Sequence, residues 1–179
     1  MQERGEDVPA ELQEKFDQAD QALFQNVRNL FGGRIKQAVT GAAPIAQEIL
    51  EFFYASGVPV LEGWGMTETS TAATCNTAES YRFGSVGKPF PGVDLKIADD
   101  GEILVRGPNI FRGYYKNEEA TKETIVDGWL HTGDIGRVDE DGFLYITGRK
   151  KDIIITAGGK NITPKNIESG IKNLSLIHI

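Results

Sequence analysis

Residues 93–106 read VDLKIADDGEILVR, in which two runs of alternating apolar and polar residues flank an Asp-Gly pair. Alternation with a period of two is typical of a β-strand with one buried face, and Asp-Gly is a strong signal for a tight hairpin turn. Residues 135–149, IGRVDEDGFLYITGR, repeat the pattern around another Asp-Gly pair. The two stretches together predict an antiparallel β region from about Val93 onward.

A short helix is predicted between the hairpins at residues 117–125, NEEATKETI, with Asn117 as its N-cap and two glutamates near its positive end. After Gly148 the chain runs RKKDIIITAGGKNITPKNIES. This reads as a charged link, a β-branched strand, a glycine turn and a helix that Thr163 caps. The charged link is a candidate domain boundary.

The first segment of the chain has the period of a helix. Apolar residues recur every three or four positions from Leu12 to Leu30, Pro9 suits the first turn, and Gly32 and Gly33 suit the end. A helix that covers a core with one face is the main interpretation, and a short coiled coil is the alternative.

Between that helix and the hairpins, the pattern predicts a βαβ-like unit. Residues 34–40 alternate like a strand, residues 44–57 read as a helix, and residues 58–65 read as a buried strand. The loops TGAAP (40–44) and GWGMTETS (63–70) then lie at the carboxyl ends of neighbouring parallel strands. Open α/β sheets bind ligands at that edge.

Composition excludes several classes of function. The chain has 179 residues, enough for one ordinary domain with a core, and 40% of them are hydrophobic. A net charge of −7 without a Lys/Arg run argues against nucleic acid as the main partner. The single cysteine, Cys75, excludes an internal disulfide, and two histidines give no zinc spacing.

Hydropathy and the charge of the first residues predict where in the cell the protein is located. No apolar stretch reaches the roughly 18 residues of a membrane span, and the charged start of the chain is unlike a signal peptide. We therefore predict a cytoplasmic protein without a transmembrane segment, and peripheral membrane contact stays open. The sequence carries no signal for the oligomeric state.

The loop GWGMTETS combines groups that suit a nucleotide. Glycines on both sides of Trp64 let the backbone bring the indole against a ligand ring, while Thr67 and Glu68 add a hydroxyl and an anion. An anion beside a phosphate requires a metal between them, so we interpret Glu68 as a magnesium ligand and Thr67 as a phosphate donor. The alternative is a surface loop in which Trp64 packs and Glu68 is solvated.

Three further features have both a functional and an ordinary interpretation. Gly41, Ala42 and Ala43 would let a planar base lie against the main chain, or they form a turn. Asp134, between glycines, would accept hydrogen bonds from ribose hydroxyls, or it is a turn former. Arg149 would pair with a phosphate or a ribose, or it forms a surface ion pair.

Other motifs fail. GSVGKP and AGGKN lack the spacing of a Walker phosphate loop, and no Gly-x-Ser-x-Gly elbow occurs. Cys75 has no histidine near it in sequence to activate it. His131 is interpreted as a structural loop residue and not as a base.

Five segments in order resemble the successive motifs of adenylate-forming enzymes, the superfamily of acyl-CoA synthetases, peptide-synthetase adenylation domains and firefly luciferase. The segments are TGAAPI, GWGMTETS, GEILVRGPNIFRGYYKN, DGWLHTGDIG and GFLYITGRKKDIIITAGGKN. The match covers Thr40 to Glu168, and IITAGGKNITP is most similar to long-chain fatty-acyl-CoA synthetases.

The resemblance implies a mixed α/β (α+β) fold. Residues 1–149 would be the C-terminal portion of the large AMP-binding domain, and residues 150–179 the hinge and the beginning of the small C-terminal domain. The family's Ser/Thr/Gly-rich phosphate loop does not precede TGAAPI, and neither Lys165 nor Lys172 sits in the motif of its catalytic lysine. We therefore expect an internal fragment that is inactive alone; its tail, LSLIHI, fits no expected continuation.

The resemblance also implies roles for the residues already singled out. Adenine would lie against Gly41, Ala42 and Ala43, with Trp64 stacked on it where the family usually has a tyrosine. Thr67 would contact the α-phosphate and Glu68 the magnesium ion. The remaining roles are the ribose carboxylate Asp134 with Arg149 beside it, the hinge residue Lys151, and the border of the pantetheine channel at Gly158 and Gly159.

The implied activity is ATP-dependent activation of a long-chain fatty acid. The carboxylate attacks the α-phosphate of MgATP, pyrophosphate leaves, and the thiol of coenzyme A then displaces AMP from the acyl-adenylate. The alternatives are a peptide-synthetase adenylation domain, a luciferase-like enzyme and a non-catalytic nucleotide-binding remnant.

Overall fold

A computed structural model gives the fold of the chain and describes residues 8–43, 45–152, 154–155 and 161–162. The chain forms two compact units. The first comprises the described residues up to Ala38 together with Glu48–Val60, and the second comprises Val39–Gln47 and the described residues from Leu61 onward. A domain boundary between residues 149 and 150 stays a prediction.

The first unit is helical, as predicted. Its long helix consists of three segments, α1 Ala10–Ala19, a π-helical segment Asp20–Phe24, and α2 Gln25–Leu30. No feature of the sequence predicted the π-helical segment. Helix α3 spans Gln47–Ala55 and so begins three residues later than predicted.

Contacts within this unit join the long helix to α3. The Arg28 guanidinium donates to both carboxylate oxygens of Asp20 at 2.7 and 2.9 Å and to the Ser56 carbonyl at 3.0 Å. The rings of Phe24 and Phe52 meet edge to face with centroids 6.0 Å apart. Part of the apolar face of the long helix thus packs against α3, and other apolar side chains such as Phe16 stay partly exposed.

The second unit contains two larger sheets, except for Ala38 and Val60, the first residues of two strands, which belong to the first unit. The first sheet has four strands in the order β1-β2-β3-β4, with antiparallel pairing from β2 to β4. The strands are β1 Ala38–Thr40, β2 Val60–Trp64, β3 Thr74–Cys75 and β4 Lys88–Pro89. The predicted strand at residues 34–40 is thus realised only in its last three residues, whereas the buried strand before GWGMTETS is confirmed.

The second sheet has five antiparallel strands and confirms both predicted hairpins. Strands β5 and β6 pair in one hairpin, β8 and β9 in the other, and β8 also pairs with β6 and β7. The strands are β5 Asp94–Ile97, β6 Glu102–Arg106, β7 Ile125–Val126, β8 Trp129–Val138 and β9 Leu144–Arg149. The core of the unit joins Ile103, Val105 and Leu144 from this sheet to Trp64 and Ala73.

Helix α4 spans Glu118–Thr124, and the Asn117 side chain accepts a hydrogen bond from the Ala120 N–H at 3.1 Å, which confirms the predicted cap. Strands β10 Ile154–Ile155 and β11 Asn161–Ile162 form a small antiparallel pair. The predicted helix at Thr163 lies outside the described residues. Within the part of the chain that the structure describes, no helix has the length and apolarity to cross a membrane.

Candidate nucleotide site

Asp134 lies in a β-bulge of strand β8. His131 pairs with Leu104 and Ile135 with Glu102, so residues 132–134 stand opposite a single residue of β6. The interpretations of Asp134 as a turn former and of His131 as a loop residue are therefore wrong, because both lie within a continuous strand. Extra residues in one strand bend it and re-aim a side chain, and Asp134 is the side chain placed here.

Side chains satisfy the backbone N–H groups of the bulge. The Gly133 N–H donates to Glu102 Oε1 at 2.9 Å, and the Asp134 N–H donates to Thr132 Oγ1 at 3.1 Å. The Thr132 hydroxyl in turn donates to the Ile103 carbonyl at 2.7 Å. Because a buried N–H without a partner is costly, these bonds hold the bulge in one conformation.

Two donors fix the Asp134 carboxylate, which is only 5% exposed. The Trp64 indole N–H donates to Oδ2 at 2.8 Å, and Arg149 Nε donates to Oδ1 at 3.0 Å. Arg149 is the cross-strand partner of Asp134 on β9. The structure thus brings together three predicted site residues, two of them 70 positions apart in the chain.

The Trp64 ring belongs to the core of the second unit and is 8% exposed. Of the two sequence interpretations, this packing agrees with the one in which Trp64 packs; its stacking on adenine stays a proposal. The hydrogen bond to Asp134 was not predicted. A buried indole N–H needs an acceptor, and that rule was the available signal for it.

The loop that follows Trp64 is shaped by backbone contacts. A Cβ placed on Gly65 would lie 2.2 Å from the carbonyl oxygen of Thr71, so only glycine fits there. Thr67–Thr69 form one 3-10 turn, and the Thr69 hydroxyl accepts from the Met66 N–H at 2.9 Å. The Thr67 side chain stays exposed at the surface of this turn.

The two predicted loops meet at their glycines. A Cβ on Gly41 would lie 3.0 Å from the carbonyl oxygen of Gly63, which makes the start of TGAAP adjacent to the strand that leads into GWGMTETS. Ala42 has a φ of +66°, a conformation that costs a non-glycine residue some strain. Both Ala42 and Ala43 are exposed, as a surface for a planar base requires.

Glu68 has a partner that the sequence motifs did not indicate. The Tyr114 hydroxyl donates to Glu68 Oε1 at 2.7 Å, and this bond to a carboxylate, together with partial burial, raises the pKa of Tyr114. The Phe111 N–H also donates to the Glu68 carbonyl at 2.9 Å. The segment after β6 therefore holds the loop from one side.

Glu68 fits the role of a magnesium ligand. No group of three or more acidic, histidine or cysteine side chains that could hold a metal occurs within the described ranges. Magnesium in nucleotide sites is commonly held by one or two carboxylates together with substrate phosphates. With Oε1 bonded to Tyr114, Glu68 keeps its second carboxylate oxygen for such an ion.

A cluster of polar side chains around the buried Glu102 adjoins Asp134 and Arg149. Glu102 is 4% exposed, and Oε2 lies 3.1 Å from both Lys150 Nζ and His131 Nδ1. Burial by itself raises the pKa of Glu102, but the bonds from Gly133, Lys150 and His131 outweigh burial and hold that pKa below its ordinary value.

Of the last predicted positions, Lys151 lies within the described residues of the second unit. Lys151 lies in a 3-10 turn, Lys150–Asp152, directly after β9 and is exposed. Its role as a hinge stays a prediction. Gly158 and Gly159, predicted to border a pantetheine channel, lie outside the described residues.

Comparison with known proteins gives the site its context. A family model described as "AMP-binding enzyme" matches residues 8–115. A long-chain-fatty-acid–CoA ligase of Mycobacterium bovis is 46% identical over 166 residues, which are 93% of this chain and 28% of that protein. A 2-succinylbenzoate–CoA ligase of Bacillus cytotoxicus is 46% identical over 149 residues, 76% of this chain and 31% of that protein.

Comparison with solved structures leads to the same class of enzyme as comparison of sequences. The O-succinylbenzoate coenzyme A synthetase of Bacillus subtilis, in complex with ATP and magnesium ion, superposes with a TM-score of 0.74 at 35% identity. The match covers 80% of this chain and 32% of that protein. The resemblance to adenylate-forming enzymes and the mixed α/β fold are confirmed, and the chain spans about 28% of the long-chain ligase it matches.

Proposed function

Because this chain belongs to the AMP-binding enzyme family, we propose that it forms the ribose- and metal-binding part of an AMP-forming acyl-CoA ligase for long-chain fatty acids. The observation that supports this most directly is the Asp134 carboxylate, held by Trp64 and Arg149 in a bulge of β8. Its substrates would be ATP, a fatty acid and coenzyme A, and its location the cytoplasm.

The hydrogen-bond capacity of Asp134 suits a ribose. An ionised carboxylate offers about four lone-pair sites, and two of them are taken by the Trp64 and Arg149 donors. Each oxygen therefore keeps one lone pair for a further hydrogen bond. Two vicinal hydroxyls of a ribose would fill those places, and Arg149, which is exposed, would lie beside them.

The loop from Trp64 to Glu68 would serve the other parts of the nucleotide. Gly41, Ala42 and Ala43 would lie against adenine, and the exposed Thr67 hydroxyl would donate to the α-phosphate. Glu68 would hold Mg²⁺, which when bound neutralises the charge that builds on the phosphates during transfer. Tyr114 keeps the Glu68 carboxylate in place by its bond to Oε1.

Two half-reactions would follow. The fatty acid carboxylate attacks the α-phosphorus and pyrophosphate leaves; the thiol of coenzyme A then attacks the acyl carbonyl and AMP leaves. Between them the chain after Lys151 would rotate, and Gly158 and Gly159 would border the path of the thiol. This chain's own contribution is to bind and orient the nucleotide.

Two classes of carboxylic acid are candidates for the substrate. Long-chain-fatty-acid–CoA ligases of bacteria and vertebrates are among the relatives, which favours a fatty acid. The 2-succinylbenzoate–CoA ligase is as similar in percent identity, which makes an aromatic acid the second candidate. ATP–pyrophosphate exchange by the complete gene product, with palmitate or with 2-succinylbenzoate as the acid, separates the two.

Nucleotide binding is tested with two matched variants of the 179-residue chain. Asp134→Asn removes the buried carboxylate charge, whereas Asp94→Asn changes an exposed aspartate that also faces its cross-strand arginine, Arg106, in the same sheet. By calorimetry we expect millimolar AMP affinity that falls about tenfold in Asp134→Asn, a loss of about 1.4 kcal/mol, and is unchanged in Asp94→Asn. No heat at millimolar AMP, or equal effects of the two variants, would contradict the ribose role.

Thioester formation has the opposite expectation. We expect the 179-residue chain to form no acyl-CoA from ATP, fatty acid and coenzyme A, because it contains neither the family's phosphate loop nor its catalytic lysine in their motifs. A rate above that of a Glu68→Ala variant would overturn this expectation.

A further inference from the structure

We propose that Glu102 is a positioning residue for the pair Asp134 and Arg149. It fixes Gly133, which precedes Asp134, and Lys150, which follows Arg149. Glu102 would thereby set the orientation of the ribose carboxylate and the fixed end of the hinge. This inference rests on the proposed function for the roles of Asp134 and Lys151. The positioning itself follows from contacts in the second unit.

On one side, Glu102 completes the bulge that presents Asp134. The bulge places Gly133 in the left-handed region, with a φ of +71°, and its N–H points to Glu102 Oε1 at 2.9 Å. Glu102 itself lies at the edge of the bulge, because its register partner is Ile135. Without this acceptor, the N–H next to Asp134 loses its bond to Glu102, and the bulge is free to relax.

On the other side, Glu102 anchors the residue after Arg149. Lys150 Nζ lies 3.1 Å from Glu102 Oε2 and 2.7 Å from Asp100 Oδ2. Lys150 directly precedes Lys151, so this double ion pair ties the start of the 3-10 turn to strand β6 and to the turn before that strand. A rotation at Lys151 would then begin from a fixed point.

The geometry explains why a glutamate stands here. Gly133, Lys150 and His131 each bond a Glu102 oxygen, and the first two are donors in every protonation state. Only a carboxylate is an acceptor at both oxygens. Asp100 supports the ammonium of Lys150, whereas the Gly133 N–H donates to Glu102.

The Trp64 indole proton provides the test on the Asp134 side, because it donates directly to Asp134 Oδ2. The chain has two tryptophans, so the indole region of a proton–nitrogen NMR spectrum carries two signals, and Trp64→Phe assigns them. In Glu102→Ala we expect the Trp64 signal to shift while the Trp129 signal stays. AMP affinity should fall about tenfold, which is about 1.4 kcal/mol.

Glu102→Gln separates the two contacts. Its amide oxygen still accepts from Gly133, but the charge that pairs with Lys150 is gone. In Glu102→Gln we expect the Trp64 signal and the AMP affinity to equal those of the unmodified chain. Cleavage by a lysine-specific protease after Lys150 and Lys151 should nonetheless be several-fold faster than in the unmodified chain, with cleavage after the exposed Lys116 as internal reference.

The outcomes are distinct. A folded Glu102→Ala chain with an unmoved Trp64 signal overturns the proposal. Glu102→Gln with unchanged cleavage at Lys150 and Lys151 overturns it as well. If the alanine variant does not fold, the cleavage of Glu102→Gln decides. If the unmodified chain binds no AMP, the proposed nucleotide role fails, yet the Trp64 signal and the cleavage rates still decide the positioning role.

Discussion

Trp64→Phe removes one hydrogen bond from the site and keeps an aromatic ring in the core. The lost donor is the indole N–H, 2.8 Å from Asp134 Oδ2, and the carboxylate it leaves behind is buried. A hydrogen bond to a charged group contributes about 1.5–3 kcal/mol. With the lost packing of the larger ring, we expect the free energy of unfolding to fall by about 2–4 kcal/mol.

The second tryptophan offers a matched control. Trp129 lies on β8 and is half-buried, with Lys96 Nζ 4.2 Å and the Arg106 guanidinium carbon 4.6 Å from its ring centre. A cation over an exposed aromatic ring contributes about 0.5–1 kcal/mol, and a phenylalanine ring keeps part of that attraction. Trp129→Phe should therefore lower the free energy of unfolding by less than about 1 kcal/mol.

Urea unfolding followed by far-UV circular dichroism measures both variants without relying on tryptophan fluorescence. A double-mutant cycle of Trp64→Phe with Asp134→Ala isolates the hydrogen bond from the packing loss, and we expect a coupling of at least about 1 kcal/mol. Equal losses for the two tryptophan variants, or additivity within about 0.5 kcal/mol in the cycle, would refute the bond as the cause.

Three further predictions concern stability. Burial raises the pKa of Glu62 from its ordinary 4.5 to about 7. The folded chain therefore holds the Glu62 proton more tightly than the unfolded chain, and the free energy of unfolding should fall as the pH rises from 4.5 to about 7. In Glu62→Gln this fall should be absent, with a gain of about 1 kcal/mol at pH 8 after allowance for solvent screening; equal pH profiles in urea unfolding would contradict this. Gly65→Ala should unfold the chain or lower its free energy of unfolding by more than about 3 kcal/mol, because its Cβ would lie 2.2 Å from the Thr71 oxygen. Gly142 has open space around it and a φ of +86°, so Gly142→Ala should lower the free energy of unfolding by about 1 kcal/mol. The ratio of these two losses in urea unfolding is the test. Asn117→Ala should cost about 1 kcal/mol through the lost cap of α4, and hydrogen exchange confined to that helix measures it.

Much of the fold was predictable because its signals are local. Both Asp-Gly hairpins and the cap at Asn117 depend on residues a few positions apart, and the structure confirms each of them. The bulge at Asp134 was not predictable in the same way. Strand alternation indicates which face is buried, but a bulge depends on how β6 and β8 pair across more than 25 intervening residues.

The residues of the candidate site were predictable from local sequence, but the contacts between them were not. Sequence motifs identified Asp134, Arg149, Trp64 and Glu68 as candidates, because their residue types and order match those of a family with a common chemistry. They did not indicate that Trp64 donates to Asp134. The two residues are 70 positions apart, and neither flanking sequence carries a mark of the other.

Glu102 and Tyr114 show the limit most clearly. In the sequence Glu102 is one more polar residue of an alternating strand, and Tyr114 is one of two adjacent tyrosines. Sequence by itself determined the hairpins, the capped helix and the family, since turn chemistry, periodicity and motif order are properties of short segments. Only the tertiary structure decided which buried donor meets which carboxylate, because such partners are chosen by the packing of strands that the chain brings together from distant positions.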